Sequence, residues 1–310
     1  LVFNRKTGGV FFDKFYNLVK YLPEKAVLVL NDTKVLPARL VVKKQTGGLA
    51  RILYIGRSFV VPDFAKASTG KKAMKGKQEL EFLSDRNLNI GSKVSINRSL
   101  FFIVSARGRS VFGGKEINRG HYFLKPSFPI NPLTQQLGAG VNKTFEVLEK
   151  YGLTPIPPYI KNSPLSEKEL RKEYQTIFAA KKGSVAAPTA SLHFTKWLLS
   201  QLKESGIKIV FTTLHVNLGT FSPLSEELFK KSRLHTEYYE ISRKSADILN
   251  MAKKEKLPII AVGTTVVRTL ESALDKSGKI SKLKGETDIF IKEGHKLKFV
   301  DGLITNFHVP

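Results

Sequence analysis

The sequence predicts an α/β protein into which a small all-β module is inserted. Two observations carry this. Beyond about residue 145, short apolar runs alternate with helix-like segments, the pattern of strands paired through helical crossovers. Between about residues 41 and 144, short stretches alternate apolar with polar residues and are separated by Gly, Ser, Asn and Lys at close intervals, as in a small barrel or sandwich. The expected division is an α/β domain of residues 1–40 and 145–310, with residues 41–144 as the insertion.

The elements follow in chain order. LVFNRKTGGVFF reads as a strand and a turn, and both chain ends look cut. Phe12 to Tyr21 is compatible with a short helix that Pro23 interrupts. Ala26 to Leu30 is a short apolar run, as in a buried strand. Asn31 to Lys34 (NDTK) is expected to turn, with side-chain acceptors to spare. Val35 to Val42 continues extended, broken by Pro37. In the inserted module the strands are ARILYIG, QELEF, SKVSINRS, LFFIVSARG and RSVFGG. TFEVLEKYG is a helix with Gly152 at its C′ position. The Pro-rich LTPIPPYI is a stiff, extended connector back to the α/β domain.

Thr195 caps the helix KWLLSQLKES, Gly206 closes it, and IKIVFTT is a buried strand. Ser242 opens a helix with Ala246, Leu249 and Ala252 on one face, followed by the strand PIIAVG. Gly263, Thr264 and Thr265 turn into the helix VVRTLESALDKSG. TDIFIK, LKFVDG and LITNF complete the pattern. No internal repeat is evident.

Composition narrows the function. At 42% hydrophobic and 25% charged residues the chain is globular rather than disordered, and no apolar run reaches membrane-spanning length. Cysteine is absent, which excludes disulfides, thiolate catalysis and cysteine-ligated metal. Lys and Arg number 51 against 26 Asp and Glu, a formal net charge of +25. A folded protein this basic attracts polyanions, nucleic acid above all. A Lys-rich proteome bias is the bland alternative, and an anionic membrane surface a weaker one. The segment FAKASTGKKAMKGK, with Lys66, Lys71, Lys72, Lys75 and Lys77, is either a solvated loop or a phosphate-contacting one. It is not a P-loop, because Gly70-Lys71 lacks the upstream Gly and the following Ser or Thr.

The stretch from Tyr174 to Phe221 holds the strongest chemical signal. His193 and His215 each lie in a run of small and hydroxyl residues, which lets backbone approach a ligand. Thr189, Ser191, Thr212, Thr213 and Thr220 offer donors and acceptors. The alternative is a quiet β–turn–α connection. Loops at the carboxyl ends of strands are the usual ligand sites of α/β folds. TLHVNLGTF presents His215 there, AVGTTVVRTLES presents Gly263 to Thr265 at a helix N-terminus suited to an anion, and NFH presents Asn306 and His308. Arg268 and Glu271 lie one turn apart and are expected either to serve the site or to form an i,i+3 ion pair. There is no HExxH, GxGxxG or GxSxG. His235-Thr236-Glu237 is half of a zinc-deaminase signature whose other half needs cysteine.

These segments together carry a resemblance. NDTKVLPARL (31–40), PIPPYI (155–160), YQTIFAAKKGSVAAPTASLHF (174–194), TLHVNLGTF (213–221), HTEYYEI (235–241), AVGTTVVRTLESA (261–273) and VDGLITNFHVP (300–310) resemble the S-adenosylmethionine:tRNA ribosyltransferase-isomerase family of queuosine biosynthesis. The resemblance implies a large α/β-barrel domain with an inserted small β-barrel, and a cytoplasmic bacterial enzyme. The implied reaction moves and rearranges the ribosyl part of S-adenosylmethionine (AdoMet) onto 7-aminomethyl-7-deazaguanine at the tRNA wobble position. Epoxyqueuosine forms, and adenine and methionine leave. AdoMet is a co-substrate, and no metal, membrane or obligate protein partner is implied; a monomer is expected.

This chain departs from the family at Asn217-Leu218, usually Gly-Ala, and at Ser191, usually Gly. A histidine common before the Pro-rich run is replaced near Leu153, and the segment 107–141 is longer. Family members also continue past NFHVP and begin before Leu1.

The implied chemistry selects residue types. A sulfonium acidifies the neighbouring C5′ protons, so a base there forms an ylide that opens the ribose. A histidine, with an ordinary pKa near ~6.5, suits that role. His215 is the first choice and His193 the second. Adenine leaves on protonation, from Glu271 or a second histidine. Arg268 with Gly263, Thr264 and Thr265 suits the methionine carboxylate. Thr189, Ser191, Gly219 and Thr220 complete the expected AdoMet contacts. Arg39, Lys66, Lys71, Lys72, Lys75, Lys77, Lys181 and Lys182 are the expected tRNA contacts.

Overall fold

A computed structural model describes residues 1–4, 6–58, 79–108, 110–112, 115–117, 120–128, 143–157, 160, 162–216 and 233–307. The chain divides into two compact units. One holds Leu1–Val35, Lys172–Val216 and Ser232–Pro310; the other holds Leu36–Arg171 and Asn217–Lys231.

The first unit opens with a hairpin of β1 (Val2–Phe3) and β2 (Val10–Phe11), then a 3₁₀ segment, Phe15–Tyr21. β3 (Val27–Asn31) is buried at every position. The expected turn at Asn31 to Lys34 is instead a change of partner. After Asp32 the chain resumes as β4 (Thr33–Val35), which leaves the main sheet and pairs elsewhere.

The second unit begins with β5 (Arg39–Lys44), β6 (Leu49–Ser58), β7 (Glu79–Ser84), β8 (Lys93–Ser95) and β9 (Phe101–Arg107). A small hairpin of β10 (Ser110–Phe112) and β11 (Lys115–Ile117) precedes β12 (His121–Pro126). Strands β12-β7-β6-β5-β8-β9 close into an antiparallel barrel through the β12–β9 pairing. Period-two alternation puts Leu40, Val42, Ile52, Tyr54, Leu80, Phe82, Phe102, Val104, Tyr122 and Leu124 inside. Aromatic rings interlock inside it: Phe82 meets both Tyr54 and Phe102 edge-on. Closure needs a bend, supplied where the register shifts between Tyr54 and Gly56, with Gly56 at φ 133°.

Two helices follow in this unit, α1 (Lys143–Tyr151) and α2 (Glu167–Glu173). Gly152 does follow α1, but not as a left-handed cap. A Cβ there would collide with the carbonyl oxygens of Pro37 and Leu148, so glycine is required by close backbone approach. Helix α2 was not expected, although Ser166 and Glu169 form a capping box: each side chain accepts from the other's backbone N–H.

The chain then returns to the first unit with β13 (Lys181–Ser184), parallel to β4, and a 3₁₀ turn, Thr189–His193. Helix α3 (Lys196–Glu204) is capped by Thr195, whose hydroxyl accepts from the Leu198 N–H at 3.1 Å. Next come β14 (Lys208–Leu214), β15 (Arg233–Glu240), α4 (Arg243–Lys254), β16 (Ile259–Val262), α5 (Thr264–Ser272), β17 (Lys284–Ile289) and β18 (Gly302–Ile304). Ser242 caps α4 as expected. LKFVDG forms no strand before Gly302; the N–H groups of Lys298, Phe299 and Val300 are taken by a side chain described below.

The main sheet runs β17-β15-β14-β3-β16-β18. β14, β3, β16 and β18 are mutually parallel, and β15 and β17 are antiparallel additions. Leu28 and Leu30 face a cluster with Phe194, Leu198 and Leu202, while α4 and α5 pack on the same strands. Helices on both faces explain why Val27 to Leu30 of β3 are all apolar rather than alternating. Burying each such Leu contributes about 1.5–3 kcal/mol, and truncating Leu28 to Ala would cost about 2–5 kcal/mol. The stack fixes the carboxyl ends of four parallel strands on one edge of the unit.

Candidate active site

The carboxyl ends of β3 and β14 are tied together by one side chain. Asn31, fully buried at the end of β3, accepts from the Leu214 N–H at 3.1 Å and donates to the Leu214 carbonyl at 3.0 Å. Its amide also reaches Thr265 Oγ1 at 3.4 Å, and its oxygen accepts from the Thr33 N–H at 3.1 Å. A carboxamide, with donors and acceptors on one planar group, is the residue type that joins the ends of β3 and β14, the head of α5 and the start of β4 at once.

His215 emerges from this knot. Its backbone N–H donates to the Tyr238 carbonyl at 3.0 Å, and its ring stacks on Tyr238 at 6.3 Å between centroids and 19° between planes. Nδ1 lies 2.8 Å from Thr33 Oγ1. The ring packs against Gly183, where an added Cβ would stand 2.8 Å from Cε1 and Nε2. Burial holds the His215 pKa down at about 4; Lys181 pushes the same way and Glu240 opposes. The ring is therefore neutral at pH 7, the form a base requires.

Lys181 and Glu240 are the charged groups that act on the ring. Asp32 accepts from Thr213 Oγ1 at 2.6 Å, and burial raises its pKa against the lowering pull of that hydrogen bond and of Lys181. The Asp32 carbonyl accepts from the N–H groups of Ala180 and Lys181, which locks the start of β13 beside β4. Ser184, fully buried, donates to the Ala186 carbonyl at 2.7 Å and accepts from the Val216 N–H at 2.9 Å, holding the chain after His215.

The other expected residues fall in several places. Gly263, at φ 87°, stands before α5, and its N–H is taken by the Ile304 carbonyl at 2.7 Å. Thr264 is exposed at the helix head and Thr265 half-buried beside Asn31. Arg268 is occupied inside the fold. It pairs with the buried Glu237 and donates to the carbonyls of Ile289 and Thr287, both at 3.2 Å. Glu271 accepts from the N–H groups of Lys298, Phe299 and Val300, which accounts for the missing strand there. The i,i+3 ion pair expected between Arg268 and Glu271 does not form; each turns to a partner on another segment.

Thr189, Ser191 and His193 share the 3₁₀ turn; His193 is exposed against Phe15 at 5.3 Å, whereas Ser191 is fully buried. Among the described residues the buried hydroxyls of Ser191 and Thr212 have no hydrogen-bond partner. Lys181 and Lys182 are exposed on β13. Arg39, in the second unit, donates to the Ile156 carbonyl at 3.1 Å. Gly219, Thr220, Lys66, Lys71, Lys72, Lys75, Lys77 and His308 lie outside the described residues. Among the described residues no group of His, Asp and Glu could hold a metal, and no helix is long and apolar enough to cross a membrane.

Sequence reasoning passed over Asn31, Asp32 and Thr33 as a turn, and Gly183 as generally small. The signal was available: an unbroken polar NDT directly after a fully apolar strand marks a strand end where ligands sit.

Comparison with known proteins adds four findings. The family described as "Queuosine biosynthesis protein" matches residues 1–310. An S-adenosylmethionine:tRNA ribosyltransferase-isomerase of Caldanaerobacter subterraneus subsp. tengcongensis is 40% identical over 311 residues, covering 100% of this chain and 80% of the relative. The protein of the same name from Carboxydothermus hydrogenoformans is 40% identical over 310 residues with the same coverage. A crystal structure of S-adenosylmethionine tRNA ribosyltransferase from Thermotoga maritima is 23% identical, covering 96% of this chain and 71% of that one, at a TM-score of 0.36.

Proposed function

The chain belongs to the queuosine biosynthesis protein family, and on that premise we propose that it transfers and isomerises the ribosyl moiety of AdoMet onto 7-aminomethyl-7-deazaguanine at the wobble position of tRNA. The products are epoxyqueuosine-tRNA, adenine and methionine. The observation that carries this reading is the match of the whole chain to a family whose close relatives bear that name. The net charge of +25 supports a polyanionic partner.

In this reading His215 is the base that removes a C5′ proton beside the sulfonium. It is held between Thr33, Gly183 and Tyr238, and it is neutral at working pH. His193 is the second choice, and its exposure favours His215. The head of α5 receives the methionine carboxylate by the N–H groups of Thr264 and Thr265 and the helix dipole, with Gly263, whose own N–H is taken by Ile304, shaping the turn. Arg268 supports that helix from behind through Glu237. The buried, unpaired hydroxyl of Ser191 is the group in its turn that gains most from a ligand, with Thr189, Gly219 and Thr220 as further contacts. Adenine needs a proton to leave. Glu271 supplies it only by giving up three backbone N–H groups, whereas Asp32, next to the strand end that carries Asn31, has its pKa raised by burial. Arg39, Lys66, Lys71, Lys72, Lys75, Lys77, Lys181 and Lys182 meet tRNA phosphates.

The test is to incubate the protein with AdoMet and precursor tRNA and identify the small molecules released. Adenine with methionine supports the proposal. S-adenosylhomocysteine would make the protein a methyltransferase, and tRNA binding with intact AdoMet would make it a binding protein only.

A further inference from the structure

We propose that Thr33 sets the tautomer of His215, so that Nδ1 carries the proton of the neutral ring and Nε2 is the atom that takes a proton from substrate. This deepens the reading of His215 as the base and rests on it.

Thr33 is fully buried, and its place is fixed three times over. Its N–H donates to Asn31 Oδ1, β4 pairs with β13 so that Thr33 lies in register with Lys181, and its side chain meets the ring. A hydroxyl has one proton to give and lone pairs to receive with. The Lys181 carbonyl oxygen, 3.5 Å from Thr33 Oγ1, is an acceptor only. With the hydroxyl proton directed there, the 2.8 Å contact at Nδ1 is an N–H donating to Thr33. The lone pair of the ring is then on Nε2.

Gly183 lies over the face of the ring: an added Cβ would stand 2.8 Å from Cε1 and Nε2 and 2.9 Å from Nδ1, so any side chain at residue 183 would displace the ring. Glycine there lets the imidazole keep its place beside Thr33. On proton transfer the Nε2 lone pair bonds the substrate proton, and the C–H electron pair stays on the carbon beside the sulfonium. The resulting imidazolium keeps Thr33 as the acceptor of its Nδ1–H, and the negative charge of Glu240 favours it while Lys181 disfavours it. Thr33 touches no reacting atom in this scheme. It is a positioning residue.

The experiment is NMR of the whole chain with isotope-labelled histidine, with His215→Asn assigning the signal, followed by kinetics. The expected spectrum at pH 7.5 shows the His215 proton on Nδ1. Thr33→Val keeps volume but removes the acceptor, so the proton moves to Nε2 in a measurable fraction of molecules. Turnover then falls roughly 10–100-fold, the range that losing an imidazole's outer hydrogen-bond partner costs at metal sites, with KM for AdoMet and tRNA unchanged. Thr33→Ser, which keeps the hydroxyl, restores both. A wild-type ring protonated on Nε2 would overturn the proposal, as would a Thr33→Val variant with unaltered tautomer and turnover. If Thr33→Val does not fold, the wild-type and Thr33→Ser spectra still decide. The spectrum needs no substrate. A chain that releases no adenine or methionine would sink the ribosyltransferase reading while leaving this measurement decisive for Thr33.

Discussion

Replacing His215 with Asn should change how stability depends on pH, in a direction and over a window that the structure sets. Burial lowers the His215 pKa from 6.5 to about 4. In the unfolded chain the imidazole binds a proton below about pH 6.5, while in the fold it resists until about pH 4. Stability from this group is therefore fully present above the unfolded value and is lost as pH falls through that window. At about 1.4 kcal/mol per pKa unit, the loss approaches roughly 3 kcal/mol by pH 4. Other groups titrate too; burial of Asp32 acts with the opposite sign, raising its pKa and favouring the fold at low pH. The informative quantity is the difference between wild type and His215→Asn, measured by urea denaturation from pH 7.5 to pH 4.5. Asn removes a titratable group and adds a pH-independent offset of its own. Above pH 7 the gap should be flat, and below it the gap should shift by about 2–3 kcal/mol in favour of the variant. A gap that stays constant across the range would show that the ring protonates freely in the fold, and the buried, neutral base would have no support.

Further outcomes follow from the buried ion pair, the Glu271 carboxylate and the lysine-rich segment. Arg268→Met leaves Glu237 buried without its partner and should cost about 3–5 kcal/mol in chemical denaturation, while Arg268→Met with Glu237→Leu should recover much of that loss. Glu271→Gln weakens hydrogen bonds to three backbone N–H groups and should lower stability by about 1–3 kcal/mol with turnover nearly kept; lost turnover at unchanged stability would restore Glu271 as the proton donor. Neutralising Lys71, Lys72, Lys75 and Lys77 together should weaken tRNA binding and leave AdoMet affinity unchanged. The wild-type affinity should fall with salt at a log–log slope near −4 to −5 if about 5 phosphates are neutralised; a slope near zero would remove nucleic acid as the reason for the charge.

The sequence was most legible where one local signal decides the structure. Five apolar residues from Ala26 require burial on both faces, and Thr195 and Ser242 announce their helices by capping chemistry. Period-two alternation gave the inserted barrel. Contacts between distant segments were not legible. Arg268 and Glu271 look like one another's partners on a helix, yet Glu237 and the backbone at residues 298–300 compete successfully, because buried partners gain more than an exposed i,i+3 pair. Gly152 and Gly183 show the same limit. Each reads as a generic small residue until the carbonyl of Pro37 or the ring of His215 is found where a Cβ would stand. NDTK has the composition of a turn, but its polar groups are spent joining strand ends rather than reversing the chain.

In the proposed function His215 is the base of a ribosyl transfer from AdoMet, and the turnover of His215→Asn with AdoMet and precursor tRNA decides whether it is. Asn keeps polarity and approximate size but takes up no proton near neutral pH. The account predicts a loss of ~10²–10⁴ in turnover with AdoMet and tRNA affinity kept, and disappearance of any solvent exchange into C5′ of AdoMet that the wild type shows. A variant that releases adenine and methionine at close to the wild-type rate would contradict it.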